Sequence, residues 1–163
     1  MSMIGSYVRL TDAELQSLLN NPENLGPFLY PDEHHGDDPQ RLDIDKTWQL
    51  IHFLLNGDAW TGTGPLAAAV LGGVPLSDED FGYGPARYLK PAEVAATNAA
   101  LRQVSAQELW SRFDGEAVAA AEIYPDWEGS EDDREYVSQY FDALKDFFAA
   151  AAANRQAMIL WIT

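Results

Sequence analysis

The 163-residue chain has no cysteine. That absence removes disulfide frameworks, thiolate zinc sites, iron–sulfur clusters and cysteine nucleophiles together. Basic residues are scarce: 10 Lys and Arg stand against 26 Asp and Glu, for a formal net charge of −16. A field of that sign repels phosphate backbones and anionic lipid, so no nucleic acid and no membrane surface is expected as a partner. It favours a basic protein partner, or serves solubility alone. No segment approaches the ~20 uninterrupted apolar residues of a membrane span. The opening Met-Ser-Met-Ile-Gly-Ser-Tyr lacks the basic region and apolar run of a signal peptide. A cytoplasmic location is therefore expected. Catalytic templates are missing as well. There is no Walker loop, no His-Glu-x-x-His and no Gly-x-Ser-x-Gly elbow. No cofactor and no metal is called for.

What is present suits an ordinary globular fold. The hydrophobic fraction is 47%, and the length predicts one domain over residues 1–163. Ser6–Leu10 reads as extended. Thr11-Asp-Ala-Glu14 is a capping box that opens a helix to about Asn20. Leu66–Leu71 is a short apolar helix ended by Gly72-Gly73, and residues 74–85 read as loop. Pro91 fits a first helical position, Ser105-Ala-Gln-Glu108 is a second capping box, and Glu135–Ala153 is the longest helix. The continuous apolar run Ala157–Thr163 reads as a buried strand. Helices dominate and strands are few. The expected class is α+β, helix-rich, with a small mixed β-sheet covered by helices.

Residues 42–57 carry the clearest helical signal. Asp43 and Asp45 offer an acidic cap, and Gly57 a left-handed stop. At about 100° per residue, Ile44, Trp48, Leu50, Ile51, Phe53, Leu54 and Leu55 cover most of the circumference. Asp45, Gln49, His52 and Asn56 form one narrow polar stripe. The stripe faces either solvent or a cavity, and the spacing leaves both open.

Five stretches resemble the YfbM-like bacterial family, a domain of unknown function. They are Leu42–Trp48 with Ile51–Leu55; Val70-Leu-Gly-Gly73; Gly82-Tyr-Gly-Pro-Ala-Arg-Tyr-Leu89 with Pro91 and Val94; Ile123-Tyr-Pro125 with Trp127; and the final aromatic helix before an apolar tail. The likeness runs over nearly the whole chain. It implies an α+β domain in the bacterial cytoplasm and no particular activity.

Candidate site residues follow from chemistry. His52, one and two turns from Asn56, Gln49 and Asp45, could act with Asp45 as an acid–base pair; the plain alternative is a histidine bonded to a neighbour. Arg87, in the Gly82–Tyr88 loop, suits an anion clamp or pairing with a nearby acid. Tyr83, Tyr124 and Trp48 could line a pocket, and Gln49 could face the ligand. A rigid Tyr124-Pro125 corner with the ring packed inward is the plain alternative there. His34-His35-Gly-Asp37-Asp38 matches no metal template, and Asp126–Asp133 fails the EF-hand spacing, with Glu131 and Val137 where Gly and Glu belong. The leading reading is a non-catalytic binding module for a protein or small ligand, with neutralisation of a basic partner in the immunity-protein manner as one form. An enzyme without a recognisable motif, built on Asp45, His52 and Arg87, is the alternative. Oligomeric state stays open between monomer and homodimer.

Overall fold

A computed structural model describes residues 2–33 and 37–163. The His34-His35-Gly36 part of the acidic loop lies outside them. Five strands form one sheet: β1 (Gly5–Leu10), β2 (Arg41–Asp43), β3 (Val74–Asp80), β4 (Pro85–Leu89) and β5 (Ala157–Ile162), in the order β2-β1-β5-β4-β3. The helices are α1 (Asp12–Asn20), α2 (Leu25–Leu29), α3 (Trp48–Asn56), α4 (Pro65–Ala68), α5 (Pro91–Leu101), α6 (Ala106–Ser111), α7 (Gly115–Ala120) and α8 (Glu131–Ala153). The class is α+β. The sheet is antiparallel at every pairing rather than mixed, because no helix connects neighbouring strands in a parallel crossover.

Alternation along β5 sorts the two faces. Met158, Leu160 and Ile162 join one core with α3, α5 and α8. Ala157, Ile159 and Trp161 join the other, under α1 and α2. All six strand residues are buried, which explains the unbroken apolar run. In α8 the buried positions Val137, Phe141, Leu144, Phe148 and Ala151 recur at helical spacing. Ser130 caps its start by accepting from the Asp133 amide, and three acids occupy the first turn. The Thr11–Glu14 capping box forms as expected, and Gly57 closes α3 at φ 74°.

Two elements differ from the sequence reading. Val74–Asp80 is a strand, not loop. It is the sheet edge, mostly exposed, and its register against β4 shifts between Pro75 and Asp80. An edge strand needs no apolar alternation, and its carboxylates discourage pairing with other chains. Arg41–Asp43 is the opposite edge, and the segment 45–47 is a 3-10 turn, so the helix starts at Trp48 and not within the 42–45 stretch that the sequence reading included.

Candidate functional site

The stripe on α3 is buried. Gln49 and His52 are 2% and 1% exposed. The Gln49 side chain accepts from the Tyr124 amide at 2.8 Å and its Nε2 donates to the Ala59 carbonyl at 3.5 Å. Asn56 Nδ2 donates to the His52 and Leu66 carbonyls at 3.1 and 3.2 Å, and also faces His52 Nδ1 at 3.3 Å. A donor at Nδ1 makes that nitrogen the acceptor, so Nε2–H donates to the Thr61 carbonyl at 3.0 Å. The polar groups of the seam are therefore bonded to the chain itself, with His52 also bordering a shallow cleft. The seam fastens the 57–66 segment to α3 through backbone groups that burial would otherwise strand.

Asp45 does not belong to this network. It sits at φ 49° in the 3-10 turn, and its carboxylate accepts from the Tyr136 hydroxyl on α8. The charges that reach His52 are those of Asp58 and Arg87. The expected Asp45–His52 pair is thus not assembled, because the helix begins after Asp45 and the turn points it elsewhere. Burial lowers the His52 pKa below its usual value, against the pull of the Thr61 carbonyl and Asp58. The unfolded chain then binds the proton more readily than the folded one. Stability from this group is complete above an unfolded pKa near ~6.5 and is lost as pH falls below it. Urea unfolding of the wild type and His52→Gln should show the wild type losing its advantage as pH falls below about 6.5; a pH-independent difference would contradict the buried neutral imidazole.

Arg87 is brought near His52, but not as a free clamp. Tyr7, Leu160 and Arg87 lie abreast on β1, β5 and β4. Arg87 donates to the Gly72 and Val70 carbonyls at 2.9 and 3.3 Å, and the Tyr7 hydroxyl donates to the Ala69 carbonyl at 2.7 Å. Together they hold the turn after α4. Burial lowers the Arg87 pKa and raises that of Tyr7. Tyr83 stands 45% exposed at the tip of the β3–β4 hairpin, away from this cluster. Tyr124 stacks on Trp48 with ring centroids 6.2 Å apart, and its hydroxyl accepts from the Met3 amide. Trp48 donates its indole N–H to the Met3 carbonyl at 3.0 Å. His52 borders a shallow cleft of about 390 Å³ with Trp60, Thr61, Gly62 and Leu71, but Arg87 and Tyr124 do not line it. Among the described residues no cluster of His, Asp and Glu is arranged to hold a metal ion.

A different cavity, of about 390 Å³, lies on the opposite face of the sheet. Ser6 on β1 pairs across to Asp43 on β2 and Trp161 on β5. Residues paired across an antiparallel sheet share a face. The small serine between two larger side chains leaves a trough, and Tyr30, Asp38 and Arg41 complete its walls. Arg41 is fully engaged: it donates to the Leu29 carbonyl at 2.8 Å and to the Phe28 carbonyl, and it meets Asp38 at 3.5 Å. Trp161 donates to the Tyr30 hydroxyl at 2.9 Å. The sequence placed none of these residues in a binding site, since β2 is too short to read and the pairing is non-local.

The chain matches the model of the family described as Domain of unknown function (DUF1877) over residues 1–161. It is 31% identical to Protein YfbM of Escherichia coli strain K12 over 128 residues, 77% of this chain and 74% of that protein. It also resembles the crystal structure of a protein of unknown function, YfbM from Escherichia coli. The TM-score is 0.73 at 25% identity, covering 98% of this chain and 99% of that one. No helix among the described residues is long and apolar enough to cross a membrane. With the α+β fold and the whole-length match in agreement, the chain belongs to the YfbM-like family, DUF1877.

Proposed function

We propose that this chain is a non-catalytic binding module that recognises a basic protein, in the manner of a neutralising immunity partner. One observation carries the reading: among the described residues, most acids have no cation in an ion pair with them. Arg9, Arg41, Arg87 and Arg112 all donate to backbone carbonyls within the fold. Among the described residues, Asp38 and Glu131 are the acids that form ion pairs, with Arg41 and Arg134. With 26 acidic side chains in the sequence, most of the negative surface remains uncompensated. Such a surface accelerates encounter with a positive partner and sets specificity by charge complementarity.

The test is capture from a bacterial lysate on immobilised protein at low ionic strength, followed by salt elution. A basic protein should bind and then leave as the Debye length falls toward about 8 Å at 0.15 M salt. If no basic protein is retained at low salt, the reading fails.

A further inference from the structure

Resting on the reading of a basic partner, we infer that the trough over Ser6 receives one arginine side chain of that partner. Its volume of about 390 Å³ lies within the range of small-ligand sites, about 300–1,000 Å³. Its walls differ in chemistry. On one side are Trp161 and Tyr30, the latter 47% exposed and stacked on Phe81 at 6.3 Å. On the other are the carboxylates of Asp43 and Asp38.

Among the described residues, the positive group lining the trough is not free to bind an anion. Arg41 uses both terminal nitrogens on the Phe28 and Leu29 carbonyls, lies against the Phe28 ring at 5.7 Å, and places its Nε near Asp38. It positions the wall. With Asp38 facing Arg41, the exposed Asp43 carboxylate, which lines the trough, supplies the uncompensated charge; one of its oxygens accepts from the Asp45 amide at 3.1 Å. A carboxylate opposite an aromatic wall is complementary to a flat cation: the guanidinium plane stacks on the rings while its N–H groups donate to the carboxylate. An ammonium matches the charge but not the plane. The hydroxyl of Ser6, at the floor, is a further acceptor for an N–H donor. The sheet register places the trough at the Ser6 end of this face, because α1 and α2 pack over its Val8 and Leu10 end and the last residue of α2, Leu29, forms part of the trough wall.

The test titrates the full chain with Nα-acetyl-arginine amide, with the citrulline analogue of the same shape and no charge, and with Nα-acetyl-lysine amide, following the Trp161 indole N–H resonance. The arginine probe should shift that resonance and bind about tenfold more tightly than citrulline, with lysine between them. Asp43→Asn keeps an acceptor for the Asp45 amide and should weaken arginine binding about tenfold. Glu79→Gln on the β3 edge should leave it unchanged. Equal binding of citrulline, tighter binding of lysine, no shift at Trp161, or indifference to Asp43→Asn in a folded variant each overturns the assignment. If the arginine titration fails while the wild type still captures a basic protein in salt-sensitive fashion, the acidic-module reading stands and the trough alone is refuted. If the wild type captures none, the broader reading falls first.

Discussion

Trp48→Ala is expected to lose about 3–5 kcal/mol of stability, the range for a buried aromatic removed from a core. Three physical effects add. The ring is 1% exposed, so its removal leaves a cavity that the surrounding sheet and helices cannot collapse to fill. The Met3 carbonyl loses its indole donor. The Tyr124 ring, and that of Trp60 at 6.1 Å, lose the surface on which they pack. Because Trp48 joins the N-terminal segment, the 57–66 loop and the 123–127 corner, all three should loosen together. Urea denaturation would read the loss, with the melting temperature falling by about 10 °C for a chain of this size. Trp48→Phe should recover part of it by refilling the space. A loss below about 1 kcal/mol for the alanine variant would show that the ring does not organise this core.

Gly72→Ala should come next, at about 3 kcal/mol. A Cβ at this position would stand 2.2 Å from Ala68 Cα and 3.0 Å from the Ala68 carbonyl carbon. Both are backbone atoms of α4, so no side-chain rotation relieves the overlap and the segment itself must move. That segment presents the carbonyls of Ala69, Val70 and Gly72 to Tyr7 and Arg87. Displacing it strands a buried hydroxyl and a guanidinium, each bond being worth about 1 kcal/mol or more when one partner is left unpaired. Gly26→Ala is the contrast. It lies within α2, where the nearest atom to an added Cβ is Glu79 Oε1 at 3.8 Å, and alanine there should be neutral or gain about 0.5–1 kcal/mol from helix propensity. Paired thermal melts of the two variants provide the check. Equal melting temperatures would mean that the α4 contact yields freely.

The stripe on α3 shows how far periodicity reaches. The 3.6-residue repeat separated Gln49, His52 and Asn56 from the apolar face, and all three do act as a group. Whether their partner was solvent, a ligand or the chain itself depended on where residues 57–66 fold back, which no local pattern records. Asp45 was assigned to the stripe because a continuous helix from Ile44 would have put it there. The positive φ at Asp45 and the 3-10 turn rotated it toward Tyr136 instead. Arg87 shows the same limit, since its spacing suggested a clamp for an anion while the Gly72-Gly73 turn supplied internal carbonyls. Val74–Asp80 was missed for another reason: a strand at a sheet edge buries so little that its sequence need not alternate.

Sequence alone determined the charge, the missing metal and nucleophile chemistry written in cysteine, the helix caps at Thr11, Ser105 and Gly57, the aromatic face of α8 and the buried terminal strand. Each of these rests on residues adjacent in the chain or one helical turn apart, where dihedral preference and side-chain direction act directly. Tertiary structure decided that β1 lies between β2 and β5, and therefore that Ser6 falls between Asp43 and Trp161. Strand register is set by burial summed over both faces of the sheet, so the trough is a property of three distant segments brought together and of none of them singly.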